Sequence, residues 1–377
     1  MKIVILGFDH GMIDRRIVLK DIKYFVNRGY KVKYIYRDNN KSEIQNLPIE
    51  LKNHVNFISI KKEASGILSR KKFEDEIIKE SLRDIPNYFY LHGMFITFPI
   101  SRLKSLKKIA KVIYDEHEYP PEPIAINNRL LKNIIGFFIN IRDRMLINYI
   151  NHSFCVSKSI QEHMENIGFK NVQLKPNVSE ETPLEPINFE KRKNILIVAG
   201  ALQIERGPFK ILNIFKELQK NIPQLELHMH VKFGSITLEN EVKEYINKNQ
   251  LENIYILPLI EYSKLISKIT HSLGVFMSFP NGIWKTNYVA MPNRFYDSLV
   301  SGTPIIASKD SIDVANEVEN FNLGINFDYN NFDNSIQTLT SFLTNKEIYN
   351  HNLNNIYEYA KNNTWNKVSK VLDKVFI

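Results

Sequence analysis

The sequence has few of the features that mark secreted, membrane-spanning or disulfide-rich proteins. Its 377 residues contain one cysteine, Cys155, which excludes an internal disulfide framework and lies in an apolar run typical of a buried thiol. No stretch reaches the roughly 18 uncharged apolar residues that a membrane-spanning helix requires, and no secretory signal precedes the first predicted strand. We therefore expect a cytoplasmic protein.

Two ligand-binding motifs are also missing from the chain. It lacks the G-x-G-x-x-G pattern, so the fingerprint of NAD-binding proteins is absent. It contains no D-x-D sequence, which argues against an obligate Mg²⁺ ion held by paired aspartates. We therefore expect no metal and no other cofactor.

The length and composition indicate a folded protein with two domains. A chain of 377 residues is too long for one ordinary core. Its 44% hydrophobic and 11% aromatic residues are enough for packed cores, which excludes wholesale disorder. The net charge of +9 favours nucleic acid, anionic lipid or phosphorylated substrates as partners, and it does not choose among them.

The first half of the chain alternates between strand and helix patterns, which is typical of a doubly wound α/β sheet. A strand over residues 2–6 is followed by a loop with Gly7 and Gly11, and Asp14 can cap the next helix. Glycine at this turn lets a phosphate or sugar approach the backbone closely. Gly11 is therefore assigned to donor binding, with a plain turn glycine as the alternative.

Acidic and histidine residues follow the strand predicted over residues 111–114. In open α/β sheets, ligands bind outside the carboxyl ends of strands. His117 can donate a hydrogen bond to a sugar hydroxyl or a phosphate near neutral pH, and a structural histidine is the alternative. We expect Asp115 and Glu118 to orient His117 or to contact an acceptor, and we add His92, after another predicted strand, to this acceptor side.

The second half begins after a polar segment, residues 178–193, which is typical of an interdomain linker. The sequence IVAGALQIERG then predicts a strand, a turn at Gly200, and Arg206 with Gly207 at the start of a helix. A guanidinium beside free backbone N–H groups makes a site for a diphosphate. A surface arginine without a ligand is the alternative.

The segment MPNRFYDSLVSGTPIIAS, residues 291–308, predicts a loop, a helix, a tight turn and a buried strand. Gly302 is placed to end the helix. Asp297 lies one turn into it, where a carboxylate is stabilised and where anions also bind. We assign Asn293 and Asp297 to donor binding, and an ordinary helix with a solvated aspartate is the alternative.

Five segments resemble, in this order, glycosyltransferases of family 4, which have the GT-B fold. They are IDRR, YDEHEYPPE, VSKSI…KPN, GALQIERG and PNRFYD…SGTPIIAS. The resemblance implies two Rossmann-like doubly wound domains facing a central cleft. Residues 1–180, with a crossover helix over residues 357–377, would form the acceptor-side domain. Residues 181–356 would bind the nucleotide-sugar donor.

The resemblance also implies catalytic roles for His117, Arg206 and Asp297. In family 4 the acidic residue at the position of Asp297 holds the donor ribose, and two cations neutralise the leaving nucleoside diphosphate. This chain retains the second cation as Arg206 and has Ala201 at the first. The charge of Arg206 alone, or of another cation, would have to compensate.

Lys232 and Lys285 are candidates for a cation that replaces the one missing at Ala201. A second departure from the family pattern is Val289, which stands where many family 4 enzymes have the first of two glutamates. Both departures leave open an inactive partner subunit with the same fold.

The sequence therefore predicts a hexosyltransferase-type enzyme that moves a sugar from a nucleotide-sugar to a saccharide or lipid-linked saccharide. Family resemblance implies retention of configuration and a role in bacterial surface polysaccharide or glycoconjugate synthesis. Alternatives are a sugar-nucleotide epimerase or phosphorylase, the inactive subunit, and a basic nucleic-acid-binding protein. The last would need aromatic stacking platforms or a recognised module, and neither is found, so we expect no nucleic-acid partner.

Two basic stretches in the first half of the chain are candidates for binding to a membrane surface. Residues 102–111 contain five Lys or Arg side chains and no acid, and residues 129–150 predict a long, largely apolar helix with basic residues. A solvated face and core packing are the ordinary interpretations. The functional alternative is peripheral, reversible binding at the inner face of the cytoplasmic membrane.

Overall fold

The structure of the protein is a computed structural model, which describes residues 1–7, 10–12, 14–37, 47–61, 67–93, 100–118, 129–278, 289 and 291–376. The chain forms two compact units. The first contains residues 1–176 and 368–377, and the second contains residues 177–367.

The described residues of the first unit form a parallel sheet of seven strands. In chain order these are β1 Lys2–Gly7, β2 Lys31–Arg37, β3 Val55–Ile60, β4 Tyr88–His92, β5 Lys111–Glu116, β6 His152–Cys155 and β7 Val172–Leu174. Across the sheet the order is β3-β2-β1-β4-β5-β6-β7, so the direction of strand addition reverses between β1 and β4. In a doubly wound sheet, this reversal is where ligands bind, outside the carboxyl ends of the strands.

Helices connect these strands. They are α1 Arg15–Ile22, which is π-helical, α2 Lys23–Asn27, α3 Ile49–His54, α4 Ile67–Ser81, α5 Ile100–Ile109, α6 Arg129–Leu146 and α7 Lys158–Ile167. Asp14 caps α1 as predicted, because its side chain accepts hydrogen bonds from the backbone N–H groups of Arg16 and Ile17. The predicted helix over residues 129–150 ends earlier, at Leu146, and a 3₁₀ turn follows.

The described residues of the second unit form a parallel sheet of six strands. These are β8 Ile195–Leu202, β9 Glu226–Phe233, β10 Ile254–Leu257, β11 Gly274–Met277, β12 Ile305–Ser308 and β13 Gly324–Phe327. Their order is β10-β9-β8-β11-β12-β13, so the reversal lies between β8 and β11. Both units therefore have the predicted doubly wound, Rossmann-like α/β architecture, and this prediction is confirmed.

The helices of the second unit surround its sheet. They are α8 Pro208–Asn221, α9 Ile236–Lys248, α10 Tyr262–Thr270, α11 Asn293–Val300, α12 Ile312–Phe321, α13 Phe332–Thr344 and α14 Lys346–Asn362. Two short helices, α15 Trp365–Val368 and α16 Lys370–Asp373, end the chain. None of the helices within the described ranges is long and apolar enough to cross a membrane.

The two units divide at residues that differ slightly from the expected boundaries. We expected the first domain to end at residue 180 and the returning segment to span residues 357–377. In the structure α14 stays with the second unit, because its Tyr349 is fully buried in that unit's core. The returning segment is residues 368–377, and the Phe376 ring packs among aromatic rings of the first unit.

Candidate active site

Three histidines lie together at the strand reversal of the first unit. His10 follows β1, His92 ends β4 and His117 follows β5, and these strands are neighbours in the sheet. The His92 Nδ1 atom is 3.2 Å from His117 Nε2, and the His10 and His117 ring centroids are 4.9 Å apart. The structure therefore brings the predicted residues His92 and His117 together and adds His10.

A buried network of charges supports this histidine cluster. The Arg16 Nη2 atom donates to Asp115 Oδ1 at 2.7 Å, and Lys175 Nζ lies 2.7 Å from Asp115 Oδ2. Lys175 also donates to Asp21 at 2.6 Å, and the Tyr90 hydroxyl donates to Asp115 at 2.9 Å. Sequence reasoning assigned Asp115 but not its three partners, which come from distant parts of the chain.

The charges in this network set the protonation states of its acids. Burial opposes the ionisation of Asp115, but the positive charges of Arg16 and Lys175 outweigh it and hold the pKa of Asp115 well below its usual range. Burial raises the pKa of Asp21, against the attraction of Lys175. Asp115 is therefore held in its charged form beside the histidines.

Two of these histidines, His92 and His117, are neutral at pH 7. Burial, followed by the repulsion of Arg16, lowers the pKa of His117 to about 3, although Asp115 opposes the shift. Burial also lowers the pKa of His92 well below its ordinary value. A neutral imidazole has one donor and one acceptor nitrogen, so His117 can bind a hydroxyl group without carrying a charge.

The turn after β5 is held by a residue that we did not assign. The Glu116 Oε1 atom accepts hydrogen bonds from the backbone N–H groups of His117 at 2.9 Å and Glu118 at 3.2 Å. The Tyr114 hydroxyl donates to Oε2 of the same carboxylate. Glu116 thereby fixes the position of His117, whereas the predicted Glu118 is exposed. The rest of the YDEHEYPPE motif, from residue 119, lies outside the described residues.

The end of β1 and the loop after it pack closely against the Tyr34 side chain. A Cβ atom at Gly7 would lie 2.6 Å from the Tyr34 hydroxyl oxygen, so the glycine is required by this contact. The Tyr34 hydroxyl donates to the Gly11 carbonyl at 3.0 Å. His10 Nδ1 lies 2.8 Å from the second carboxylate oxygen of Asp14. The assignment of Gly11 to donor binding stays a prediction.

The ligand atoms of His92, Asp115 and His117 lie within 4.8 Å of one another, which is close enough for them to share a metal ion. Both oxygens of Asp115 already face a cation, Arg16 on one side and Lys175 on the other. A divalent ion would be repelled by these two fixed charges at short range. The arrangement therefore fits an ion-pair network better than a metal site, and independence from metal stays a prediction.

All the predicted donor residues except Gly11 lie at the strand reversal of the second unit. Strand β8 continues past the predicted turn to Leu202, with Gly200 in the left-handed region at φ +99°. Arg206 ends a short turn, and Gly207, at φ +62°, is the residue before the first turn of α8. Arg206 is half-buried, and burial lowers its pKa. Arg206 therefore lies two residues before Pro208, the first residue of α8.

Asp297 has a specific hydrogen-bond partner within the second unit. The Tyr262 hydroxyl donates to Asp297 Oδ1 at 2.8 Å and lies 3.3 Å from the Ser179 hydroxyl. At the start of the same helix, Asn177 Nδ2 donates to Asn293 Oδ1 at 2.5 Å. These contacts orient the side chains of Asn293 and Asp297, and the assignment of both residues to donor binding stays a prediction.

The basic residues that could replace the cation missing at Ala201 differ in how far they are exposed to solvent. Lys232 is exposed and pairs with Ala201 in the register of β8 and β9, while Lys285 lies outside the described residues. Val289 is buried, with 1% of its surface exposed. Arg294, which sequence reasoning did not assign, is 93% buried in the first turn of α11.

A groove of about 730 Å³ opens beside this region of the second unit. It lies at the carboxyl ends of β9 and β10 and at the start of α9. Its lining includes Lys232, Phe233, Gly234, Ser235, Leu257 and Pro258. The His230 Nδ1 atom lies 3.2 Å from the Pro258 carbonyl oxygen and so ties down the loop that forms one wall.

Comparison with solved structures identifies the architecture. Sucrose-phosphate synthase of Thermosynechococcus elongatus superposes with a TM-score of 0.72 at 12% identity, over 100% of this chain and 98% of that one. HepE of Anabaena, in complex with UDP and glucose, has a TM-score of 0.69 at 11% identity, over 99% and 98%. The chain has the GT-B fold.

A third GT-B neighbour is the lipopolysaccharide outer core galactosyltransferase WaaB, with a TM-score of 0.64 at 12% identity over the whole of both chains. No protein-family model matches this sequence, and no curated protein does so either. Structural similarity at identities this low establishes the GT-B fold and nothing finer. Membership of family 4 stays a prediction.

The predicted residues of this GT-B protein form two groups, one at the strand reversal of each unit. The first group is Gly11, His92, Asp115, His117 and Glu118, and the second is Gly200, Arg206, Gly207, Asn293 and Asp297.

Proposed function

We propose that the protein is a glycosyltransferase that uses a nucleotide-sugar donor. The observation that carries the proposal is the pairing of Tyr262 with Asp297 at the same strand reversal that carries Arg206. The ribose hydroxyls of a nucleoside diphosphate can donate hydrogen bonds to a fixed carboxylate. Its phosphates can bind to a guanidinium and to a helix N-terminus. The chain supplies these groups in one unit.

The donor would bind the second unit. Its diphosphate would lie against Arg206 and Gly207, its ribose against Asp297, and its base toward the groove at the ends of β9 and β10. Structural neighbours of the same fold contain UDP or UDP-glucose, as in HepE. This supports UDP-sugars as the first donors to test.

The acceptor would bind the first unit, beside His117. We propose a saccharide or a lipid-linked saccharide in the synthesis of bacterial surface polysaccharide or glycoconjugate, since one neighbour is a lipopolysaccharide galactosyltransferase. We also propose hexosyl transfer with retention of configuration, as the family 4 resemblance implies. The chain would then contribute positioning and stabilisation of the leaving group rather than a covalent nucleophile.

The exposed apolar face of α6 supports a peripheral membrane location for this reaction. Its side chains are 40–72% exposed, which does not fit core packing; they are Leu130, Ile134, Phe137, Phe138, Ile141 and Met145. Their spacing places them along one side of the helix, and the exposed Arg144 adds positive charge near its end. We propose that this face binds reversibly to the inner surface of the cytoplasmic membrane.

The first experiment measures donor binding. The protein is titrated calorimetrically with UDP-, GDP-, CMP- and dTDP-linked sugars, and the best donor is repeated with Asp297→Asn. We expect a loss of about 1–3 kcal/mol in binding free energy, because a charged acceptor for the ribose is removed. Asp333→Asn, an exposed acid in the first turn of α13, is the matched control. Unchanged donor affinity in Asp297→Asn would remove Asp297 from the site.

Turnover assays separate the alternatives. An epimerase would alter the donor without an acceptor, a transferase would need one, and an inactive subunit would bind donor without turnover. Activity is expected to persist in EDTA, because Arg206 and the helix N-terminus would do the electrostatic work of a metal. Binding to oligonucleotides that ignores saccharides would instead favour the nucleic-acid alternative.

A further inference from the structure

Arg294 occupies an unusual position for a charged side chain. It is the second residue of α11, and 7% of its surface is exposed. Helix α11 follows β11, and the turn with Arg206 follows β8, which is the neighbouring strand. The topology therefore brings the two arginines to the same strand reversal, on the loops where a ligand of this fold class binds.

The charges around Arg294 agree with this placement. Burial, followed by the positive charge of Arg206, lowers the pKa of Arg294 to about 9, and Asp297, three residues later in the helix, opposes the shift. The two guanidinium groups therefore act on each other, with Asp297 near Arg294 and Glu205 near Arg206. Like charges in a partly desolvated place repel each other more strongly than in water, so an anion that reaches both would be bound tightly.

We propose that Arg294 supplies the second positive charge of the diphosphate site, which the chain lacks at Ala201. The inference rests on the proposed function, and it adds a specificity residue to it. Two planar guanidinium groups can each bind phosphate oxygens in a bidentate manner. Together they favour a nucleoside diphosphate over a nucleoside monophosphate, because the second phosphate has its own partner.

Lys232 is the competing candidate, since it is the strand partner of Ala201. Its side chain is exposed, so water and salt screen its charge. The buried guanidinium of Arg294 is screened much less. The geometry therefore favours Arg294 over Lys232.

The test compares matched nucleotides. UDP and UMP, GDP and GMP, and CDP and CMP are titrated into the full-length protein, and inorganic pyrophosphate is used as a competitor. We expect Arg294→Met to weaken binding of the preferred diphosphate at least tenfold and its monophosphate less than threefold. Arg294→Lys should recover part of the preference, and Lys264→Met, an exposed lysine on α10, should leave it unchanged.

Other outcomes have distinct meanings. If the wild-type protein binds none of these diphosphates, the proposed function itself fails. If the wild-type protein prefers the diphosphate and Arg294→Met keeps that preference, only the inference fails. A selective loss of diphosphate affinity in Lys232→Met instead of Arg294→Met would also overturn the inference. Thermal melting of each unligated variant distinguishes loss of binding from loss of folding.

Discussion

The Arg16 guanidinium donates to the Asp115 carboxylate at 2.7 Å, although 99 positions separate the two residues in the chain. Arg16 is the second residue of α1, and Asp115 lies in β5. Asp115 is fully buried, and the side chain of Arg16 is 10% exposed. The IDRR and YDEHE segments, which resemble two separate family motifs, are thus joined by one ion pair, and His117 Nε2 lies 3.7 Å from Asp115 Oδ1.

We predict that Lys175→Met destabilises the protein by about 3–5 kcal/mol, because removing one partner of a buried ion pair leaves uncompensated charge on the acids. Lys175 is 2% exposed and contacts both Asp21 and Asp115. Urea unfolding monitored by circular dichroism measures the change. Lys243→Met, which removes an exposed pair with Glu239, should cost less than about 1 kcal/mol.

The double variant Lys175→Met with Asp21→Asn extends this test. It should recover part of the lost stability, because the second substitution removes the acid that the first leaves without Lys175. A double variant that loses the sum of the two single losses would show that the three side chains do not act as a network.

The depressed pKa of His117 predicts a loss of stability in mild acid. The unfolded chain binds a proton on this imidazole below about pH 6.5, whereas the folded protein does so only near pH 3. The unfolded state therefore takes up more protons in this window, and the free energy of unfolding falls as the pH is lowered through it. Lowering the pH from 7.5 to 5 should cost roughly 1–2 kcal/mol through this group.

The same series in His117→Asn should show a smaller loss between pH 7.5 and pH 5. His351→Asn, an exposed histidine on α14, is the control and should behave as wild type. Equal acid sensitivity in wild type and His117→Asn would show that this imidazole is not held neutral by the fold.

Arg206→Ala is expected to lower turnover more than donor affinity. If its guanidinium mainly stabilises charge that develops on the leaving diphosphate, the interaction is stronger in the transition state than in the donor complex. Steady-state kinetics with saturating donor measures this as kcat. A loss confined to donor affinity would point to uniform donor binding, and a wild-type rate would assign the leaving-group role to another residue.

Binding to anionic vesicles is expected to decline as salt rises, because screening shortens the reach of surface charges. A basic side chain near anionic lipid contributes roughly 1 kcal/mol. The predicted basic run contributes less than expected, because its Arg102 is buried against Glu74 and Asp75. Replacing Lys104, Lys107 and Lys108 with Gln should still weaken sedimentation with these vesicles while donor affinity is unchanged.

The exposed face of α6 gives a second arm of this experiment. Phe137→Ser with Phe138→Ser should weaken vesicle binding further, because two rings that are 62% and 63% exposed would no longer enter the lipid. A protein that does not bind anionic vesicles even at low salt would contradict the membrane proposal.

The sequence by itself determined the architecture. Burial of parallel strands on both faces requires short, continuously apolar runs, and the glycine, proline and capping residues between them mark where each helix begins and ends. These signals are local, which is why the βα order and the Asp14 cap could be predicted. The same locality explains why His117, Arg206 and Asp297 could be assigned as candidates, since each lies just after a recognisable strand or near the start of a helix, and their roles stay predictions.

Only the tertiary structure decided which partners these residues have. Tyr262 reaches Asp297, and Lys175 reaches Asp115, across sequence separations that no periodic pattern records. The pKa of His117 depends on burial and on Arg16, so it too follows from the fold. The strand order decided the rest: β8 and β11 are neighbours, and so the start of α11 with Arg294 and the turn with Arg206 belong to the same strand reversal.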